Sequence, residues 1–289
     1  MFNMNKLPAA KRAQILSLLC EGTSMRAISR LVDVSINTVS KLLVDAGTVC
    51  AEFHDEQVRK VPAKRVQVDE IWSFTYAKQK NVAKARKAVE GAGDTWTWTG
   101  LDADSKLIVS WLVGPRDAGS AYAFVNDLAS RLANRIQLTS DGLKLYVDAV
   151  EDAFGADVDY AQLVKLYGAS GENETRYSPA KCLGCISHEV TGDPDPKHVS
   201  TSYVERQNLT MRMHIRRFTR LTNGFSKKLA NHIHMVALYT VFYNFTKIHK
   251  TLRVTPAMQA GLTDRVWSMT DVVTLIEQAE MLVPAAQGN

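Results

Sequence analysis

Three acidic residues of this chain sit where chemistry could be done. In RVQVDEIWSF (residues 65 to 74) an alternating apolar run leads into Asp69 and Glu70. The run IQLTSDG ends at Asp141, and Glu205 lies inside TSYVERQNLTMRMHIRRF. Aspartate is a poor strand former, so its place at the end of such runs asks for a reason. Three carboxylates brought together repel one another unless a cation sits among them. Hard divalent ions with oxygen ligands are the natural occupants, and Mg²⁺ bridges readily to phosphate. Two such ions roughly 4 Å apart would activate an attacking oxygen and stabilise a leaving one in an in-line displacement at phosphorus. The expectation is therefore Asp69, Asp141 and Glu205 as ligands of two Mg²⁺ ions, with Mn²⁺ able to substitute. Alternation sends Asp69 and Glu70 to opposite faces of a strand and does not by itself choose between them. Asp69 is taken as the ligand and Glu70 as a structural partner.

The elements that must position these acids follow from pattern. RVQVDEIWSFTY reads as a first strand, and TWTWTGLDAD and KLIVSWLVG as a second and third joined by a turn at Asp104-Ser105. Between the first two lies a basic insert, KQKNVAKARKAVEGAGD. AGSAYAFVNDLASRLAN has helical spacing, IQLTSDG is a fourth strand, LYVDAVEDAFG a helix and DYAQLVKLYG a fifth strand. A loop of roughly thirty residues follows, and then two strong helices. This order is that of an RNase H-like α/β (α+β) fold, a mixed five-stranded sheet with flanking helices in which the first and fourth strands are neighbours. Along the helix that carries Glu205, the residues Val204, Met211, Ile215 and Phe218 keep the spacing of a buried stripe. Glu205 borders that stripe and leans toward the sheet. Arg212, two turns on, shares its side and points toward the place of a phosphate. Asp102 and Asp104 are explained by turn chemistry, and Trp96, Trp98 and Trp111 by packing within strands.

Before the sheet, residues 8 to 47 form an all-α pattern: a helix opened by Pro8 and stopped at Gly22, a second capped by Ser24, and a third capped by Ser35 and stopped at Gly47. Ile28, Leu31 and Val32 are expected to point inward, as are Val39, Leu42 and Leu43. Asp33 stands where a turn residue must tolerate the left-handed region. Two short helices about such a turn are a helix-turn-helix, and Ser35, Asn37, Thr38, Ser40 and Lys41 are left free to meet a major groove. The expected domains are this one (1–47), a linker helix (48–64), a catalytic core (65–261) and a helical tail (262–289).

Net charge is +5 over 289 residues, unevenly placed. Between Val199 and Arg253 ten Lys or Arg stand against the single acid Glu205. Such an excess favours a phosphate backbone as partner, through Arg206, Arg216, Arg217, Arg220, Lys227 and Lys228. The N-terminus lacks the apolar core of a signal peptide and no run is long enough to span a membrane, so a cytoplasmic, nucleoid-associated protein is expected. Four cysteines make no disulfide framework. Cys20 and Cys50 look like small buried hydrophobes, and the pair Cys182 and Cys185, with His188 and His198 nearby, is too weak a pattern to enter the metal assignment.

VDEIWSF, the SDG of the fourth strand, STSYVERQNLTMRMHIRRFTRLTNGFSKK and HKTLRVTPAMQAGL together resemble the DDE transposases of bacterial insertion sequences, specifically the insertion-sequence-one family. The resemblance runs from the helix-turn-helix to about Trp267. It implies Asp69, Asp141 and Glu205 as the catalytic triad, with Arg212 as the basic residue beyond the glutamate. It implies nicking at the element's ends and attack of the freed 3′-hydroxyl on target DNA. The implied partners are double-stranded DNA, as terminal repeats and as target, and a second copy of the chain on paired ends, with neither a membrane nor a small-molecule substrate. Two rival readings remain: a regulator that binds DNA without chemistry, and an RNase H-fold nuclease or resolvase that cuts without joining.

Overall fold

The computed structural model describes residues 6–85, 87, 89–168, 182–219 and 222–282. In chain order the elements are α1 (Ala9–Cys20), α2 (Met25–Val32), α3 (Ile36–Gln57), β1 (Arg65–Thr75), α4 (Gln79–Val82), β2 (Gly93–Asp102), β3 (Ile108–Gly114) and α5 (Ala118–Arg131). They continue with β4 (Ile136–Asp141), α6 (Leu145–Phe154), β5 (Val158–Tyr167), β6 (Cys182–Thr191), α7 (Ser202–His214), α8 (Leu229–Val241), α9 (Pro256–Gln259) and α10 (Met269–Leu282). A 3₁₀ turn (Arg216–Phe218) follows α7 and a π turn (Phe242–Thr246) follows α8. The chain divides into two compact units. A helical unit holds Met1–Arg59, Trp72–Trp96 and Asn208–Asn289, and a sheet unit holds Lys60–Ile71 and Thr97–Gln207. Among the described residues no helix is long and apolar enough to cross a membrane.

In the helical unit the first three helices begin where the capping residues predict. The Ser24 hydroxyl accepts from the Ala27 N–H at 3.2 Å and the Ser35 hydroxyl from the Asn37 N–H at 3.1 Å. Asp33 adopts φ 50°, ψ 64°, the left-handed turn between α2 and α3. Ile28, Val32, Val39, Leu42 and Leu43 are buried, as are Cys20 and Cys50, but Leu31 is 67 % exposed. Ile28 and Val32 are one turn apart and define the inward side of α2; Leu31 lies roughly a quarter turn round from them. Farther along, Phe53 meets Phe245 and Trp267 at centroid distances of 5.1 and 4.5 Å. The buried side chain of Arg12 on α1 pairs with Glu277 on α10.

Gly47 does not stop α3, which runs on to Gln57 and takes in the first ten residues of the expected linker helix. The glycine serves packing. A Cβ on it would stand 2.3 Å from Cβ of His234 on α8, so the backbones of α3 and α8 meet here at a separation only glycine allows.

In the sheet unit six strands run in the order β3-β2-β1-β4-β5-β6, one more than the sequence suggests. β1 and β4 are parallel, as are β4 and β5, whereas β5 and β6 are antiparallel. Trp98 is fully buried at centroid distances of 6.0 Å from Phe124 of α5 and 5.6 Å from Tyr146 of α6, and Trp96 and Trp111 are half-buried. The turn after β2 is closed by Asp102, whose carboxylate accepts from the N–H groups of Asp104 and Ser105 at 3.2 Å each. β6 occupies part of the stretch expected as a loop. Eight of its residues pair with β5, across two register shifts, yet nearly all of the strand is exposed. A strand held by its backbone alone buries no face, so it writes no alternation into the sequence.

The approach of α3 to α8 yields a prediction whose sign separates two effects. Gly47→Ala should gain about 1 kcal/mol from helix propensity and lose about 1–3 kcal/mol or more from overpacking. A lower melting temperature than the parent is expected; a higher one would mean that the two helices do not approach as closely as described.

Candidate active site

The site is built on a ladder. Parallel pairing sets Arg65 opposite Gln137, Val66 opposite Leu138 and Gln67 opposite Thr139. Two residues further in that register, Asp69 comes level with Asp141, the last residue of β4. β4 stops there while β1 continues, which leaves a notch at the strand end where the two faces of the sheet communicate. Into it come the carboxylates of Asp69, Glu70 and Asp141, each offering an oxygen within 4.8 Å of the others.

Glu205 arrives by a different route. The side-chain oxygen of Gln67, on the same strand face as Asp69, accepts from the N–H groups of Tyr203 (2.8 Å) and Val204 (3.1 Å). Backbone N–H groups at a helix start have no partner within the helix, and here one amide oxygen from the sheet serves two of them. The next residue, Glu205, then lines a cavity of about 690 Å³ together with Asp69, Asp141, Arg116, Lys144 and Lys165. The three acids expected from sequence thus share one pocket. The tight cluster, however, consists of Asp69, Glu70 and Asp141, while Glu205 pairs with Lys165 and accepts from the Thr201 hydroxyl at 2.5 Å.

Glu70 was legible only in half. Its carboxylate is buried at 8 % exposure, takes a bond from Arg116 Nε at 2.6 Å and another from the Tyr146 hydroxyl at 3.0 Å. That is the structural role expected of it. Its membership of the carboxylate cluster was hidden, because alternation assigns faces and is silent about a notch where faces meet.

The electrostatics are those of buried carboxylates crowded together, with Arg116 opposite Glu70 and Lys165 opposite Glu205. Burial first, and then the charges of Glu70, Asp141 and Glu205, push the Asp69 carboxyl up to about 7 against one backbone hydrogen bond. Burial and Asp141 also raise Glu70, opposed by Arg116 and the Tyr146 hydroxyl. All the donors are carboxylate oxygens, which suits a hard divalent cation, and a cation there would remove the repulsion that now raises Asp69.

The remaining expected residues fall elsewhere. Arg212 lies seven residues beyond Glu205 on α7, half-buried and in the helical unit. Asn37 and Lys41 are exposed, Thr38 and Ser40 half-buried, and Lys41 pairs with Asp45 at 2.6 Å. Arg206, Arg216, Lys227 and Lys228 are exposed and Arg217 is half-buried; Arg220 lies outside the described residues. Cys182 and Cys185 are exposed on β6, and among the described residues neither joins a group of possible metal ligands.

The raised Asp69 gives a pH-dependent prediction. A carboxyl whose folded value lies above its unfolded value destabilises the fold once it is ionised, and this cost fades as pH falls from about 7 toward the ordinary range near 4. In EDTA at pH 8, Asp69→Asn should melt a few degrees above the parent, and the gap should shrink by pH 5. A variant that melts lower than the parent at pH 8 would refute the cost of burying an ionised Asp69 among other carboxylates.

No protein-family model matches the chain, and no curated protein matches it in sequence. Among solved structures it is similar to a piggyBac transposase synaptic complex with hairpin DNA, at 10% identity and a TM-score of 0.31, over 78% of this chain and 55% of that one. It is similar also to a Mos1 strand transfer complex (12% identity, TM-score 0.29, 83% of this chain and 78% of that one). A third is a Mos1 transposase paired-end complex with left transposon end (14%, 0.21, 53% and 59%). The chain therefore spans little more than half the length of the piggyBac chain it matches. Likenesses this distant do not place the chain in a family.

Proposed function

We propose that the chain is a metal-dependent DNA transposase of the DDE kind, in the manner of the insertion-sequence-one family, which nicks the ends of a mobile element and joins the freed 3′-hydroxyl to target DNA. The observation that carries the reading is the meeting of Asp69, Glu70 and Asp141 at one strand end, with Glu205 in the same pocket. The resemblance of VDEIWSF, SDG and STSYVERQN to that family favours a transposase over a nuclease of the same fold. The excess of base over acid between Val199 and Arg253 favours a polyanionic substrate.

Asp69 and Asp141 would hold Mg²⁺, or Mn²⁺ in its place, with Glu70 and Glu205 the candidates for the remaining oxygen positions. Bound there, such ions would activate water or a 3′-hydroxyl and stabilise the departing oxygen. The rest is done by the chain. Gln67 fixes the first turn of α7 and so the place of Glu205. Tyr146 and Arg116 hold Glu70. Lys144, Lys165 and Arg116 line the pocket with positive charge where a scissile phosphate would lie. Terminal-repeat DNA would be read by Ser35, Asn37, Thr38, Ser40 and Lys41, and backbone phosphate met by the bases of the 206–228 stretch. Joining requires two paired ends, and hence at least two copies of the chain.

The test is a strand-transfer assay with purified protein, labelled DNA from the ends flanking its own gene, a supercoiled target, and Mg²⁺ or Mn²⁺ against EDTA. Joined product should depend on metal and fall by at least about 100-fold in Asp69→Asn, Asp141→Asn and Glu205→Gln. Without DNA, Mg²⁺ should raise the melting temperature of the parent and leave that of Asp141→Asn unmoved. Cleavage without joining would replace the reading with a nuclease, and tight binding with no cleavage in any metal with a regulator.

A further inference from the structure

Four bases of the helical unit meet at one cavity. Arg26 at the start of α2, Arg216 and Arg217 in the 3₁₀ turn, and Lys227 just before α8 line one cavity of about 560 Å³, and no Asp or Glu lines it with them. All of its lining residues belong to the helical unit. Met25, Ile36 and Phe225 supply apolar wall, and the first turn of α2, whose N–H groups lack partners within the helix, lies along one side.

Arg217 is the telling residue. It is half-buried, and its guanidinium donates to the Ser226 hydroxyl at 3.3 Å and lies 3.4 Å from the Met25 sulfur. Both partners are neutral. Behind Ser226, at 3.1 Å, is Nδ1 of His232, which is fully buried and kept uncharged: burial, and next the charge of Arg217, lower it to about 3. Burial lowers Arg217 itself to about 10. Lys227 stands 3.3 Å over the Phe225 ring, pulled down by burial and by the neighbouring charge of Arg26. Gly224 closes the wall, since a Cβ on it would come within 2.9 Å of the Arg216 carbonyl oxygen. A cation taken from water without a counter-charge is expensive; Arg217 is in that position, and three exposed cations, Arg26, Arg216 and Lys227, stand around the same cavity. Among the described residues nothing in its lining offsets them.

We infer that this cavity is a binding site for a phosphate group, as a DNA backbone carries it, separate from the carboxylate pocket of the sheet unit. Arg217 would donate to the phosphate from the floor, and Arg26, Arg216 and Lys227 from the rim. The inference needs DNA to be a partner of the chain, but none of the proposed cleavage chemistry.

It is tested on the full chain in EDTA, so that metal-dependent chemistry plays no part. Binding to a random-sequence duplex is followed by fluorescence anisotropy over a range of NaCl concentrations. The double variant Arg26→Ala/Lys227→Ala, at two exposed positions, should lower the slope of log K against log [salt] by about two, and Arg217→Gln by about one. Arg59→Ala, whose guanidinium already pairs with Asp55, should leave it unchanged; an equal loss there would reduce the effect to net charge and overturn the site. In parallel, inorganic phosphate is compared with NaCl at matched ionic strength for its effect on melting temperature. Loss of slope in the pocket variants assigns the site to backbone phosphate. Stabilisation of the parent alone by inorganic phosphate, with slopes unchanged, assigns it to the free ion. Parent-like slopes together with no phosphate effect would overturn the proposal. A failed strand-transfer assay would leave this result standing, because neither readout uses the carboxylates.

Discussion

A short parallel ladder between β1 and β4 carries the candidate site. Three residue pairs, from Arg65 with Gln137 to Gln67 with Thr139, fix which side chains come level at the strand end. Because strand faces alternate with a period of two, a slip of one residue would send Asp69 and Asp141 to different faces. The register is held in turn by what lies on the faces: Val66, Val68, Leu138 and Ile136 are all buried at 1 % exposure or less. Hydrophobic burial thus does work that two mutually repelling carboxylates could never do for themselves. Burial first, and then the neighbouring carboxylates, raise Asp69 to about 7 at this strand end.

Much of that was legible in the sequence because it rests on patterns with a physical period. The alternation of RVQVDEIWSF and the capping serines before α2 and α3 predict what is found. So does the turn chemistry of Asp102. Val204, Met211, Ile215 and Phe218 are all buried as expected, although α7 ends at His214 and the last two lie beyond it. Local rules of this kind survive folding when tertiary packing agrees with them.

The misreadings share another cause, since each depended on a neighbour distant in sequence. Gly47 reads as a helix stop unless one knows that His234 lies against it. Leu31 reads as core until Ile28 and Val32 define the inward side of so short a helix. β6 leaves no mark, because its order comes from β5 and not from burial of its own. Glu70 was placed on a face correctly, but the end of β4 at Asp141 opens that face to the other. The gathering of Arg26 with Arg216, Arg217 and Lys227 is likewise invisible in a chain where 190 positions separate the first two.

The clasp between Gln67 and the start of α7 has a wider consequence. It is made by a neutral amide and two backbone N–H groups, so neither protonation nor counter-ions touch it. The start of α7 is thereby held by a contact that salt does not screen, whereas binding of the proposed polyanion would loosen as salt rises.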